Sequence, residues 1–139
     1  MDQRIEKFNQ EDSERIEQLR EWVVGHYEDA DAYEPVSGKL RLVQTILDKG
    51  WITKDETWKL QSLGVAFGDA LEQDVPELSW VVVEDEFGRD PALRWLETST
   101  LTFPLTAISK RVEDDLPVDV YELFGGFQEA ISEAVAKAQ

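Results

Sequence analysis

Apolar residues recur along this chain with two periods, and the change between them divides it. From about Asp12, the residues Ile16, Leu19, Trp22, Val23 and Tyr27 fall at helical spacing, with Glu14, Glu17, Gln18 and Glu21 between them. This predicts a first long helix ending near Gly25–Tyr27, preceded by a short turn or helix around Ile5 and Phe8. The polar stretch 28–38 reads as a loop. Leu40, Val43, Ile46 and Leu47 mark a second helix stopped at Gly50. Thr53 and Glu56 have capping-box spacing and predict the start of a third helix running to about Asp74. Its apolar face is Leu60, Leu63, Phe67, Ala70 and Leu71. Gly64 and Gly68 flank that face, and because helix-interior glycine is costly, they predict a close approach by another element.

The texture then changes. Trp80, Val81, Val82 and Val83 are strand formers, followed by Glu84, Asp85 and Glu86 and a turn signal at Gly88. A second strand is predicted over 92–96 and a third over 101–103. The connections are short, so the three form an antiparallel meander. Apolar residues of both parities in the first strand predict that both sheet faces are at least partly covered. Pro104 suits a helix start, and Leu105, Ile108 and Val112 continue it. Asp119 and Glu122 repeat the capping-box spacing before a last helix with the stripe Val120, Phe124, Phe127, Ile131 and Val135. Gly125 and Gly126 inside it predict a kink or a tight contact. The expected fold class is α+β: N-terminal helices, a three-stranded antiparallel meander, and two C-terminal helices packed on the sheet. One domain spans 1–139, with a helical N-terminal part (1–50) and a core (51–139).

Composition narrows the function classes. The 139 residues hold 30 acids against 14 bases, a formal charge of −16. Residues 1–34 carry 11 acids and 4 bases and residues 113–139 carry 7 and 1, whereas the middle is nearly balanced. A field of that sign repels phosphate backbones and anionic membranes, which excludes direct nucleic-acid or membrane-surface binding and suits a basic protein partner. No apolar run reaches the length of a membrane span, and the charged N-terminus does not read as a secretory signal. With no Cys there is no disulfide framework and no thiolate chemistry. The expected setting is the cytoplasm.

Catalytic and metal motifs are sparse. His26 is the single histidine, where metal sites call for several convergent donors. The GxSxG turn of serine hydrolases is absent. Ser37–Gly38–Lys39–Leu40 resembles the end of a phosphate loop, but Tyr33 stands where the first glycine belongs and Leu40 replaces the Mg-binding hydroxyl. Asp29, Asp31 and Glu34 fail as a calcium loop because Tyr33 takes a ligand position and the turn glycine is missing. No catalytic residue, metal or cofactor is assigned.

The charged hairpin Glu84–Asp85–Glu86–Phe87–Gly88–Arg89–Asp90 is the remaining candidate site. Clustered carboxylates shift one another's pKa values, but alternation puts Asp85 on the face opposite Glu84 and Glu86. Arg89 is expected to pair with a neighbouring acid. Lys110 and Arg111, an adjacent basic pair on the next helix, stand off its apolar stripe and are placed to meet the hairpin acids or an anionic ligand. Trp80 joins the candidate surface, since Trp is enriched at binding hot spots. Trp22, Trp58 and Trp95 are expected in the core or at its margin, and Trp51 against an interhelical turn.

Three blocks, LGVAFGDAL (63–71), WVVVEDEFGRDPALR (80–94) and FPLTAISKRVE (103–113), resemble in this order a bacterial family known as domain of unknown function 3806. The resemblance implies a small α+β domain of the bacterial cytoplasm and no particular activity, cofactor or catalytic residue. The glycine-paired helix followed by a Trp-containing strand is also similar, in general terms, to small immunity-type proteins. Two functions from different classes follow. The first is a non-enzymatic interaction module, regulatory or immunity-like, binding a partner through Trp80, Glu84, Asp85, Glu86, Arg89, Asp90, Lys110 and Arg111. The second is a small-ligand binder or enzyme with its pocket between the hairpin and the Lys110–Arg111 helix, and with Asp85, Arg89 and Asp90 as its polar groups.

Overall fold

The computed structural model describes residues 3–26 and 30–138. Among them, strand β1 (Arg4–Glu6) is followed by helices α1 (Gln10–Val24), α2 (Ala30–Tyr33), α3 (Val36–Lys49) and α4 (Thr57–Asp74). Strands β2 (Leu78–Asp85), β3 (Gly88–Trp95) and β4 (Leu101–Thr102) come next, then α5 (Leu105–Glu113) and α6 (Val120–Ala138). The fold is α+β. Its sheet runs β1-β2-β3-β4, antiparallel throughout.

The expected meander is present and gains a fourth strand. Ile5 and Phe8 suggested a helical turn, but Ile5 pairs with Val83 in a three-residue edge strand. So short a strand has no period of its own; its conformation comes from the ladder it joins. The first predicted meander strand starts two residues earlier, at Leu78, and takes in Glu84 and Asp85. The second begins at Gly88 rather than Ala92.

Local signals set most helix ends. Asn9 caps α1 through a full box: Asp12 N–H donates to Asn9 Oδ1 at 2.8 Å and Asn9 N–H to Asp12 Oδ2 at 2.9 Å. α1 ends at Val24, and Tyr27, assigned to its stripe, lies outside the described residues, as do Glu28 and Asp29. The expected loop over 28–38 instead contains α2 and the start of α3. Gly50, at φ 67°, stops α3 in the left-handed conformation glycine favours. Only half of the Thr53–Glu56 box forms, and one turn ahead of the helix, with the Glu56 N–H donating to the Thr53 backbone carbonyl at 3.0 Å. Thr53 N–H donates to Glu56 Oε1 at 3.0 Å, Thr53 Oγ1 donates to Asp55, and α4 starts only at Thr57. Asp119 caps α6, accepting from the N–H groups of Tyr121 and Glu122 at 3.0 and 3.1 Å.

α4 is the central helix, with Leu60, Leu63, Phe67, Ala70 and Leu71 fully buried. Its two glycines are contact points. A Cβ on Gly64 would stand 2.4 Å from the carbonyl oxygen of Leu105, and one on Gly68 would stand 2.5 Å from the Trp80 indole. α5 and the sheet therefore seat directly on the α4 backbone. Gly125 and Gly126 differ: nothing beyond the adjoining residues and the helix's own backbone lies within 4 Å of either Cβ position, both are exposed, and α6 runs through them unbroken. The tight contact expected there is absent from the chain's own packing.

The main core joins α3, α4, α5 and α6, with Ile131 of α6 in one cluster with Leu78 and Leu93 of the sheet. The opposite sheet face holds Val81, Val83 and Ala92, flanked by Ile5 and Leu101 from the edge strands. Lys39, from the rejected phosphate-loop pattern, is buried in a structural role. Its Nζ donates to Glu34 O at 2.6 Å and Gln73 Oε1 at 2.8 Å, tying the α2–α3 turn to α4. No described helix is long and apolar enough to cross a membrane.

Candidate functional site

The β2–β3 hairpin is built to hold its tip still. Asp85 pairs with Gly88, leaving a two-residue loop of Glu86 and Phe87. Neither loop residue takes positive φ; it falls on Gly88, at 138°, a conformation that L side chains rarely adopt. Asp85 Oδ1 accepts from the Phe87 N–H at 2.9 Å, fixing the loop backbone. Phe87 itself is 86% exposed.

Below the tip, Glu84 and Arg89 are register partners. The Arg89 guanidinium spreads over three carboxylates. Nε and Nη2 donate to the two oxygens of Asp12 at 3.2 and 2.7 Å, Nη1 donates to Glu6 at 2.8 Å, and Glu84 lies 3.9 Å away. Glu84 also pairs with Arg4. The hydrogen bond from Arg89, above all, holds the Asp12 carboxyl below its ordinary range, with the Asn9 N–H adding to it and burial opposing. One arginine thus fastens the hairpin to β1 and to the start of α1. With Arg89 engaged from behind, Asp85, Glu86 and Asp90 give the tip its charge, and it is negative.

The other candidates divide. Trp80 packs against the helical layer: its Nε1 donates to Asp69 Oδ1 at 3.0 Å, beside the Arg20 guanidinium, and its ring stacks near Phe8. Lys110 and Asp90 line one cavity of about 330 Å³ with Arg15 and Gln61. Asp85 and Arg89, assigned to that pocket, do not line it. Arg111 is turned elsewhere. Its Nη1 donates to Ala107 O at 2.8 Å and its side chain borders a different groove, so the basic pair does not act as a unit.

A row of aromatic rings was not foreseen. Trp58, Trp22, His26 and Trp51 follow one another with centroids 5.9, 4.4 and 5.8 Å apart, and Lys59 Nζ lies 5.9 and 5.8 Å from the Trp22 and Trp58 centroids. Trp51 and Trp58 are 50% and 51% exposed, so of the two places expected for Trp58 the core itself is ruled out. The i, i+4 spacing of Trp22 and His26 was the one signal for this row in the sequence. Among the described residues, no group of three or more His, Asp or Glu side chains converges to hold a metal ion.

The fold defines the class: a small α+β domain with four antiparallel strands among its described residues and helices packed against the sheet. The family model described as "Domain of unknown function (DUF3806)" matches residues 39–124, more than half of the chain, and the chain belongs to that family. All three sequence blocks fall inside the match, which begins in α3 and so reaches further toward the N-terminus than those blocks. No curated protein matches the chain. A crystal structure of a protein from Bacteroides thetaiotaomicron VPI-5482 is similar, with a TM-score of 0.79 at 19% identity over 96% of this chain. The likeness is one of fold, and this chain spans 48% of that one's length.

Proposed function

We propose that this chain is a non-enzymatic interaction module of the bacterial cytoplasm, regulatory or immunity-like, that engages a basic partner protein through the β2–β3 hairpin. The observation that carries this reading is Phe87, 86% exposed at the tip of a loop braced by Asp85 and anchored by Arg89. Burying a Phe side chain in a partner's pocket is worth about 1.5–3 kcal/mol. A tip already held in place loses little freedom on binding. The flanking Asp85, Glu86 and Asp90, within a chain of net charge −16, favour a basic rim around that pocket and speed encounter with it. The same field opposes nucleic acid and anionic membranes.

The test is co-purification of the tagged protein at native level from its own host, beside Phe87→Ala and a Glu86→Lys, Asp90→Lys variant. A stoichiometric partner lost from both supports the hairpin as the contact. A partner kept by both places the contact elsewhere.

The cavity lined by Arg15, Asp90 and Lys110 favours a second reading, a small-ligand site. Two cations and one carboxylate, with Pro91 and Phe103 as apolar wall, suit a small organic acid. Thermal-shift screening of carboxylates and phosphates decides it: a stabilisation lost in Lys110→Ala supports the site, and none across the screen removes it.

A further inference from the structure

We infer that the groove between edge strand β4 and helix α6 receives an amphipathic helix of a partner protein, one whose polar face is basic. The groove is distinct from the hairpin, since none of residues 84–90 lines it. It encloses about 810 Å³ over an apolar floor of Val118, Leu123, Gly126 and Phe127, with Asp119 and Glu122 at its rim.

Three features choose the occupant. The first is charge. Asp119 and Glu122 outnumber Arg111 in the groove wall, and residues 113–139 carry seven acids against Lys137 alone. Lysines or arginines of an incoming segment meet Asp119 and Glu122. A second copy of this chain would set its own acids against them. The second is the edge. β4 pairs through only Leu101 and Thr102, too little ladder to recruit an extended strand.

The third is the glycine pair. A helix-interior glycine costs about 1 kcal/mol relative to alanine. At Gly64 and Gly68 the close seating of Leu105 and Trp80 explains why no larger residue stands there. At Gly125 and Gly126 no atom beyond the adjoining residues and the helix's own backbone comes within 4 Å of the Cβ positions, so no packing contact inside the fold requires glycine. A second helix laid across α6 at Gly126 would require it, because small residues let backbones approach closely.

The probe is a fluorescent synthetic peptide of repeated Leu-Lys-Lys-Leu-Leu-Lys-Leu heptads, titrated into the protein at physiological salt and followed by anisotropy. Its control has the same composition with the helical periodicity scrambled. The expected result is saturable binding of the amphipathic peptide, weakened at least about tenfold in Gly126→Leu and in Glu122→Lys. Phe87→Ala should bind as the unmodified protein does. Gly126→Ala should melt at a higher temperature than the unmodified protein yet bind more weakly, a pairing that a purely structural glycine does not give. Equal binding of the scrambled peptide would reduce the effect to bulk charge and overturn the proposal. So would unchanged affinity in both Gly126 variants. A dimer in sedimentation that Gly126→Leu dissociates would assign the groove to a second copy instead.

Discussion

Arg20 and Asp69, 49 residues apart in sequence, meet through two parallel hydrogen bonds, Nε to Oδ2 at 2.7 Å and Nη2 to Oδ1 at 2.9 Å. Trp80 Nε1 adds a third bond to the same carboxylate, so α1, α4 and β2 share one largely buried acid. Asp69→Ala removes two bonds of the half-buried Arg20 guanidinium, which keeps only Glu17 as a carboxylate partner, and takes the acceptor from the indole N–H. It should destabilise the protein by about 3 kcal/mol, read from denaturant unfolding followed by Trp fluorescence.

Two carboxyls give stability opposite dependences on pH. Asp12 is held low in the fold, chiefly by Arg89, so its contribution is present above the unfolded-state pKa and is lost as pH falls through the folded value. Glu72 is raised, first by burial and then by neighbouring Asp69; its contribution is present at low pH and is lost as pH rises through the folded value. Asp12→Asn should therefore flatten the acid limb of a plot of melting temperature against pH. Glu72→Gln should raise the melting temperature at neutral pH and leave it nearly unchanged below about pH 4.

The glycines of α4 and α6 should respond to alanine with opposite signs. Gly64→Ala forces the added carbon against the Leu105 backbone, which cannot swing aside as a side chain would, and should cost about 3 kcal/mol. Gly125→Ala meets open space and should gain about 1 kcal/mol. Paired denaturation curves would show both effects, and equal signs would contradict the packing described here.

Phe87→Ala should leave stability within about 0.5 kcal/mol of the unmodified protein, since so exposed a ring contributes little to folding. A large loss in the same measurement would show that Phe87 packs within the chain, and would remove it as a binding anchor.

Much of this architecture was legible in the residues themselves. The period change near Trp80, the stop at Gly50, the cap at Asp119 and the crowding at Gly64 and Gly68 are local signals with local causes. Expectation failed where the cause is distant. Ile5 is a strand residue because Val83 lies beside it, and Thr53–Glu56 closes a turn ahead of α4 rather than capping it. The candidate site divides in the same way. The pairing of Glu84 with Arg89 follows from hairpin register, whereas Asp12 and Glu6 reach Arg89 across 77 and 83 residues. Trp22, His26, Trp51 and Trp58 form a row only once α1, the 50–56 segment and α4 are assembled. Position in a helix says which face a residue is on, but not whether that face is covered.

The placement of β1 also sets an order of events. Arg4 finds Glu84 across 80 residues, and the strand between β1 and the rest of the sheet is the one that β3 completes from its other side. Closing so long a loop costs entropy that three ladder positions repay poorly until a β2–β3 ribbon exists to receive them. The hairpin and α4 should form first, with β1 and the Arg89 clasp docking late. In hydrogen exchange, the amides of β1 should then open well before those of β2 and β3, as a sub-global unit of low stability.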